Sequence, residues 1–238
     1  MYVCNRILVF TATFNEAENV EKLVADIFDI VPQVDMLVID DHSPDGTGDI
    51  LDHLVATYSR LAIIHRKRKL GLGTAHLQAM DYAVKNNYDA LVTMDADFSH
   101  HPKYLPQMLA LLEKHDFVIG SRYMEGGGSG YGMVRTLISK TANVLVRNFL
   151  AIPLKECTTS YRGFRRELLI NILHKNITST GYAFMFEMVY VVCGMTEKIA
   201  EFPIYFMDRM KGESKMTILE IIRGVARLLK LTVSKRMK

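Results

Sequence analysis

Cysteine is scarce in this sequence of 238 residues, and tryptophan is absent from it. The three cysteines, Cys4, Cys157 and Cys193, are odd in number, lie far apart and form no C-x-x-C pair. This spacing excludes a disulfide framework and a cysteine zinc site. We therefore expect a protein of a reducing compartment.

The sequence also lacks a run of about 18 uncharged apolar residues, which a membrane-spanning helix would need. The first six residues lead directly into a strand-like segment and carry no secretory signal pattern. We therefore expect a cytoplasmic protein that is soluble or lies on the cytoplasmic face of a membrane. The net charge of +3 is too small for the whole molecule to be a nucleic-acid-binding protein.

The first half of the sequence alternates short β-rich runs with amphipathic helical segments. The predicted strands are residues 7–11, 36–39, 61–65, 90–94 and 117–121, and helices are predicted between them, as at 20–28, 75–84 and 104–112. This spacing predicts an α/β fold with a mostly parallel sheet that is covered by helices on both faces. Because parallel strands end at one edge, the polar residues that follow each run should line a single rim.

Two carboxylates follow the fourth predicted strand, in the sequence Asp95-Ala96-Asp97. Mg²⁺ and Mn²⁺ prefer such hard oxygen ligands and commonly add phosphate oxygens to them. A solvated acidic turn is the structural alternative. His100 and His101 are either further candidate ligands or part of the turn that starts the next helix.

A second acidic loop, at residues 40–47, follows the second predicted strand. Its carboxylates Asp40 and Asp41 can accept hydrogen bonds from the base or ribose of a nucleotide. The alternative is a solvated turn in which Ser43 or Asp45 caps the next helix.

Two other loops have both structural and functional interpretations. Thr13 and Glu16 fit a capping box, in which the threonine is the N-cap and the glutamate is at N3. Gly71 and Gly73 are similar to part of a dinucleotide-binding fingerprint, but His76 stands where a third glycine or an alanine belongs, which disfavours a Rossmann dehydrogenase. The basic run at 66–69 before these glycines either meets a phosphate or is a charged surface.

The second half begins after a glycine-rich run, with a helix predicted at 134–150, a loop at 157–164 and an alternating segment at 199–206. On that helix Arg135 and Ser139 are four residues apart, so both can face one ligand. Arginine forks suit a phosphate. Further candidates lie in loop-like segments, at Arg122, Arg162, Arg165, Arg166 and Arg209.

The last segment, residues 217–238, has apolar residues on one side of a predicted helix and basic residues on the other. From residue 209 onward the chain has nine Lys or Arg and two Asp or Glu, a local charge of +7. Such a helix fits a membrane surface, and a packing helix is the structural alternative. We therefore divide the chain into a catalytic domain at 1–216 and this basic helix at 217–238.

Taken in order, eight motifs of the chain resemble those of the dolichol-phosphate, or polyprenyl-phosphate, mannosyltransferase family. They begin with Thr13-Phe14-Asn15-Glu16 and continue through 40–47, 69–75, 95–102, 120–123, 156–162, 181–187 and 208–215. The resemblance implies a GT-A-type, Rossmann-like fold and an inverting glycosyltransferase. It further implies transfer of mannose from GDP-mannose to a polyprenyl phosphate, with Mg²⁺ or Mn²⁺ on the diphosphate.

The resemblance also implies roles for individual residues. It places the metal on Asp95, Asp97 and Ser99. It assigns the nucleotide-sugar to Thr13, Phe14, Asn15, Glu16, Asp40, Asp41, Lys69, Gly73, Asp95 and Ala96. It assigns the acceptor phosphate to Arg122, Arg135, Ser139, Arg209 and Lys215. The expected catalytic set is Asp97, Arg122, Arg135, Ser139 and Arg209.

Two departures from the family pattern bear on the donor. Ala12 stands where the family usually has proline, and Glu156 stands where it usually has aspartate. The alternatives are therefore a UDP-glucose or other nucleotide-sugar donor, or a non-catalytic subunit that binds a nucleotide-sugar at a membrane. The resemblance is to short family members, which reach their lipid through a surface helix or membrane-anchoring partner subunits.

Overall fold

A seven-stranded sheet forms the centre of the protein in the computed structural model, which describes residues 4–175, 177–179, 181–208 and 218–236. The strand order is β3-β2-β1-β4-β7-β5-β8, and all neighbours are parallel except those of β7. The strands are β1 Ile7–Thr13, β2 Asp35–Asp40, β3 Leu61–His65, β4 Ala90–Asp95, β5 Phe117–Ser121, β7 Arg162–Arg165 and β8 Ile199–Pro203. Two short strands, β6 Gly128–Ser129 and β9 Tyr205–Phe206, pair separately.

Helices cover both faces of this sheet. They are α1 Val20–Ile30, α2 Thr47–Thr57, α3 Leu72–Lys85, α4 Leu105–Leu112, α5 Met133–Leu150, α6 Arg166–Leu173, α7 Ala183–Cys193 and α8 Ile218–Arg236. A short 3₁₀ turn, Pro102–Tyr104, leads into α4. The five strands and three helices predicted for the first half are all confirmed, with ends that differ by a few residues.

The core consists of two apolar layers, one on each face of the sheet. Successive strand residues point to opposite faces, so Leu8 and Phe10 of β1 belong to one layer while Ile7 and Val9 belong to the other. Because both faces are buried, the parallel strands β1, β2 and β4 are mostly apolar and do not alternate between apolar and polar residues. The predicted fold class is therefore confirmed.

The prediction of a loop at 157–164 is wrong for the last residues of that range. They belong to β7, an antiparallel strand that lies between β4 and β5. Its sequence, Arg-Gly-Phe-Arg, has no apolar run to indicate a central strand. Gly163 is required at that point, since a Cβ atom would lie 2.7 Å from a Leu112 methyl carbon.

Within the described parts of the chain, no helix is long and apolar enough to cross a membrane. The expected basic helix is present as α8 and packs against α5 and α7. The proposed division of the chain near residue 217 stays a prediction.

Candidate active site

The carboxyl ends of the parallel strands bring the predicted polar residues to one edge. Thr13 at the end of β1 is in register with Asp40 of β2, and the preceding Ala12 is in register with Asp95 of β4. The sheet therefore places the two acidic loops side by side, as expected for open α/β proteins.

Asp40 ties the loop that follows β2 to the end of β1. Its Oδ1 accepts hydrogen bonds from the hydroxyls of Thr13, at 2.9 Å, and Ser43, at 2.5 Å, and its Oδ2 accepts one from the Ser43 N–H. Asp40 is buried, so these donors satisfy a carboxylate that water does not reach. Neither Ser43 nor Asp45 is the N-cap of α2, a position that Gly46 occupies.

The capping box predicted for Thr13 and Glu16 is wrong. Thr13 is the last residue of β1, and α1 begins only at Val20, after Asn19. The Glu16 carboxylate accepts a hydrogen bond from the Asn19 amide at 2.9 Å. Thr13 satisfies Asp40 instead, because the strand continues two residues further than the apolar pattern indicates.

Asp41 joins this loop to the basic segment before α3. Its Oδ1 accepts from the Arg66 guanidinium at 2.9 Å, and its Oδ2 accepts from the Gly71 N–H at 3.1 Å. The Lys69 ammonium lies 3.7 Å from the centre of the Phe14 ring, a cation–π contact. These contacts bring the loops that carry the predicted nucleotide-binding residues Phe14, Asp41 and Lys69 to the same end of the sheet, and their role stays a prediction.

Gly73 has a packing role in the structure. It is buried in the first turn of α3, where a Cβ atom would lie 2.8 Å from the Ser179 carbonyl oxygen and 3.0 Å from the Phe184 ring. Close packing alone therefore requires a glycine at this position, and the predicted contact of Gly73 with a nucleotide stays a prediction.

Asp95 and Asp97 provide the carboxylates of the expected metal site. The Asp95 side chain is about one-third exposed, and its Oδ1 accepts a hydrogen bond from the Ser160 hydroxyl. Asp97 is buried, and its Oδ1 accepts from the N–H and hydroxyl of Ser99. Ser99 therefore orients the Asp97 carboxylate, and its predicted contact with the metal stays a prediction.

This donor set fits a divalent ion that is shared with a diphosphate. In the part of the chain that the structure describes, no group of three His, Cys, Asp or Glu could hold a metal alone. Mg²⁺ in nucleotide enzymes is commonly bound by one or two carboxylates, with phosphate oxygens and water as the other ligands. Asp95 and Asp97 match that pattern.

His100 is a structural residue and not a metal ligand. Its Nδ1 accepts a hydrogen bond from the Asp95 N–H at 3.0 Å, and its Nε2 lies 2.9 Å from the Thr159 hydroxyl. Complete burial lowers the pKa of His100, so the ring is neutral at pH 7. The 3.4 Å approach of its Nδ1 to the Asp95 carboxylate is therefore not an ion pair.

Arg122 forms a buried ion pair with Glu156. The guanidinium Nε and Nη2 donate to the two carboxylate oxygens at 2.8 and 3.0 Å, and Nη2 also donates to Thr158. Burial opposes ionisation of both groups, but their mutual attraction raises the pKa of Arg122 and lowers that of Glu156. The Arg122 Nη1 makes a longer contact, of 3.4 Å, with the Ser139 hydroxyl. Four of the five guanidinium N–H groups are then used, so the second Nη1–H remains for a ligand.

Arg135 lies nearby in a more open position. Its side chain is about half exposed, its guanidinium carbon lies 3.7 Å from the Tyr131 ring centre, and it makes an ion pair of 3.2 Å with Asp208. Ser139, one turn later on α5, shares a 2.9 Å hydrogen bond with the Tyr123 hydroxyl. The predicted group of Arg122, Arg135 and Ser139 is therefore assembled.

The rings of Tyr131 and Phe206 connect the basic and acidic groups. The Phe206 ring centre lies 5.4 Å from that of Tyr131, on which Arg135 stacks, and 5.2 Å from the Arg122 guanidinium carbon. It also lies 5.0 Å from the centre of the His100 ring, whose Nδ1 accepts a hydrogen bond from the Asp95 N–H. The acidic and basic groups therefore belong to one site. Tyr131 is not among the residues predicted from the sequence, although an aromatic residue within a glycine-rich run is a usable signal.

The other candidate arginines have different positions. Arg162 is completely buried, and its Nη2 donates to the carbonyl oxygens of Cys157 and Met185. Burial lowers the pKa of Arg162 to about 10. Arg165 and Arg166 also donate to backbone carbonyls, so these three residues support the fold. The predicted phosphate ligands Arg209 and Lys215 lie outside the described residues.

The sequence of this chain is similar to sequences of known glycosyltransferases. Residues 8–173 match the model of Glycosyl transferase family 2. The chain is 39% identical to a polyprenol monophosphomannose synthase of Mycolicibacterium smegmatis, over 89% of this chain and 81% of the relative. It is 38% identical to an undecaprenyl-phosphate mannosyltransferase of Micrococcus luteus, over 89% and 88% of the two chains.

Solved structures of lower identity share the fold. A glucosyl-3-phosphoglycerate synthase from Mycobacterium tuberculosis, in complex with Mn²⁺, UDP and phosphoglyceric acid, has a TM-score of 0.67 and 18% identity, and covers 97% of this chain and 78% of that one. A mannosyltransferase from Pyrobaculum calidifontis, in complex with GDP-Man and Mn²⁺, has a TM-score of 0.61 and 16% identity, over 97% and 64%. With its GT-A fold and this extent of similarity, the chain belongs to Glycosyl transferase family 2.

Proposed function

We propose that this protein transfers mannose from GDP-mannose to a polyprenyl phosphate. The observation that carries the proposal is that Asp95 and Asp97 share one site with Arg122 and Arg135, connected through the rings of Tyr131 and Phe206. An acidic pair suits a metal-bound diphosphate, and an arginine pair suits a second phosphate. The named mannosyltransferase relatives, at 38–39% identity, support this choice of donor sugar and acceptor.

The reaction needs positioning more than proton transfer. A phosphate monoester is an anionic nucleophile at neutral pH, so its oxygen can form a bond to the anomeric carbon without a general base. The bond from that carbon to the donor diphosphate breaks on the opposite face, and GDP leaves with the electron pair. The anomeric configuration is therefore inverted.

The residues of the site divide this work between the two phosphates. Asp95 and Asp97 would hold Mg²⁺ or Mn²⁺, which neutralises charge on the departing diphosphate. Arg122 and Arg135, with the Ser139 hydroxyl, orient the acceptor phosphate for attack. Phe14, Asp40, Asp41 and Lys69 are proposed to receive the nucleoside, and Arg209 and Lys215 are proposed as further phosphate ligands.

We also propose that the protein lies on the cytoplasmic face of a membrane, where a polyprenyl phosphate is found. The α5 and α8 helices pack together and expose apolar side chains that the core does not use. The most exposed are Met133, Val134, Leu137, Ile138, Ile222, Val225, Leu229 and Val233. Contact with membrane-anchoring partner subunits is the alternative use of this surface. Removal of residues 217–238 should weaken flotation with anionic liposomes more than nucleotide binding.

The donor and acceptor are tested together in one assay. The purified protein is incubated with Mg²⁺ or Mn²⁺, a short polyprenyl phosphate and radiolabelled GDP-mannose or UDP-glucose, and label is counted in the organic phase. Label from GDP-mannose alone is the expected result. Label from UDP-glucose alone would contradict the assigned donor while keeping the reaction class.

The non-catalytic alternative is tested in the same assay with Asp97→Ala. We expect this variant to lose turnover. Full activity of Asp97→Ala would contradict the metal-dependent transferase mechanism, and a wild-type protein that binds GDP-mannose without labelling any acceptor would favour a binding subunit.

A further inference from the structure

A basic cavity lies beside the carboxyl-terminal half of α5, next to the proposed acceptor site. Its volume is about 270 Å³, and it is lined by Tyr123, Lys140, Asn143, Val144, Arg147 and Lys155. Three of these six side chains are cationic and none is acidic. Such a lining selects an anion.

The cations of this cavity form no ion pair within the described parts of the chain. No described ion pair includes Lys140, Arg147 or Lys155, and the buried Nε of Arg147 has no hydrogen-bond partner. The nearby Glu156 carboxylate is engaged by Arg122, and the Glu201 carboxylate accepts from backbone N–H groups. The negative end of the α5 dipole attracts a cation. That attraction does not account for three cations beside one another, or for the Arg147 Nε without a hydrogen-bond partner.

The walls of the cavity are fixed before any ligand binds. Asn143 is buried on α5, and its amide nitrogen donates to the Lys155 carbonyl oxygen at 2.6 Å. Its amide oxygen accepts from the Cys157 N–H at 3.0 Å. These bonds hold the segment that carries Lys155 against the helix that carries Lys140 and Arg147. The three cations are therefore brought together at no further folding cost.

The surroundings of the cavity are apolar. Val144 lines it and is partly exposed, and around the helix from Val144 an open groove of about 400 Å³ is lined by Leu137, Ile138, Thr141, Ala142 and Leu145. A soluble phosphate has no apolar part that could bind in such a groove. A lipid presents a charged headgroup and apolar chains together, and so matches both features.

We propose that this cavity binds the phosphate of an anionic membrane phospholipid, separately from the acceptor phosphate. The proposal rests on the membrane contact proposed above for α5 and α8. A headgroup held there would anchor the carboxyl-terminal half of α5 on the bilayer. Since Tyr123 lines the cavity and its hydroxyl bonds Ser139, this anchor would also fix the acceptor site relative to the membrane.

The test is cosedimentation of the full-length protein with vesicles, without donor or acceptor. Vesicles of phosphatidylcholine alone are compared with vesicles that contain about one-quarter phosphatidylglycerol, whose negative surface attracts cations. The test variant combines Lys140→Gln, Arg147→Gln and Lys155→Gln. Its matched control, Lys85→Gln, Lys114→Gln and Lys198→Gln, removes the same charge near the opposite edge of the sheet.

We expect the wild-type protein to prefer the anionic vesicles. Each cation at a membrane surface contributes about fivefold to binding, so the test variant should bind about one hundredfold more weakly. The control variant should lose less than about fivefold, since its charges lie away from α5. Equal losses in both variants, or no preference for anionic vesicles, would overturn the proposal.

Two further arms keep the result interpretable. Soluble glycerol phosphate should compete only weakly with the anionic vesicles for the protein. If it bound as tightly as the vesicles do, the lipid assignment would be overturned in favour of a soluble anion. If melting shows that the triple variant is unfolded, Lys155→Gln alone should still lose about fivefold. Because no substrate is present, failure of the proposed transferase activity would leave these results unchanged.

Discussion

Replacement of Glu156 by glutamine should destabilise the protein strongly without changing the shape of the side chain. Glu156 is completely buried and accepts two hydrogen bonds from Arg122, at 2.8 and 3.0 Å. Its Oε1 also accepts from the N–H and hydroxyl of Thr158. A glutamine that keeps its oxygen there must direct its amide nitrogen at the Arg122 Nε–H, so two donors face each other.

The cost follows from the charge that is left behind. Arg122 is almost fully buried, and loss of one partner of a buried ion pair costs about 3–5 kcal/mol. That is a large part of the ~5–15 kcal/mol that stabilises a typical protein. Urea unfolding, followed by circular dichroism, measures the difference in the free energy of unfolding. Glu113→Gln, at an exposed position, is the control and should change that free energy by less than about 0.5 kcal/mol.

The same reasoning predicts how the loss depends on the partner and on pH. In the double variant with Arg122→Met, the destabilisation should fall well below the sum of the two single values, because neither charge is then unpaired. The lowered pKa of Glu156 means that its contribution is present above its ordinary pKa and disappears as the pH falls. A loss below about 1 kcal/mol, or strictly additive single values, would refute the assignment of a buried pair.

Three other changes separate stability from function. Arg135→Met should lower turnover at least about tenfold, with less than about 1 kcal/mol change in unfolding, because its ion pair is exposed. Burial lowers the pKa of His76 to about 3, so wild-type stability should fall between pH 6.5 and 3 while His76→Leu flattens that slope in acid titrations. Gly73→Ala should lower the melting temperature and cost about 1–3 kcal/mol, whereas Gly48→Ala, with ordinary 3.5 Å contacts, should cost nothing.

The strands of the first half could be predicted because each is an apolar run of the right length between turn signals. The apolar pattern fixes which residues enter the core, but it does not mark where a strand ends. Thr13 shows the limit, since its hydroxyl extends β1 toward Asp40, 27 residues away. A local pattern that fits a capping box was therefore overridden by a tertiary hydrogen bond.

The carboxylates of the site could be predicted because each follows an apolar strand directly. The pairing of Arg122 with Glu156 could not, because the residues are 34 positions apart and neither belongs to a periodic pattern. The strand β7 was missed for a related reason. Its Arg162 can be buried because its guanidinium donates hydrogen bonds to the carbonyl oxygens of Cys157 and Met185, which belong to two other segments.

Arg122 and Arg135, the two arginines of the proposed acceptor site, differ in how firmly they are held. The charge of Arg122 is already compensated by a buried carboxylate, so its guanidinium stays in one position whether or not a substrate is bound. Arg135 is paired with Asp208 at an exposed surface, where an ion pair contributes about 0–1 kcal/mol. It can therefore exchange that carboxylate for a phosphate at little cost. In the proposed reaction, the fixed Arg122 would therefore set the direction of attack, and the exchangeable Arg135 would supply charge that attracts the acceptor phosphate.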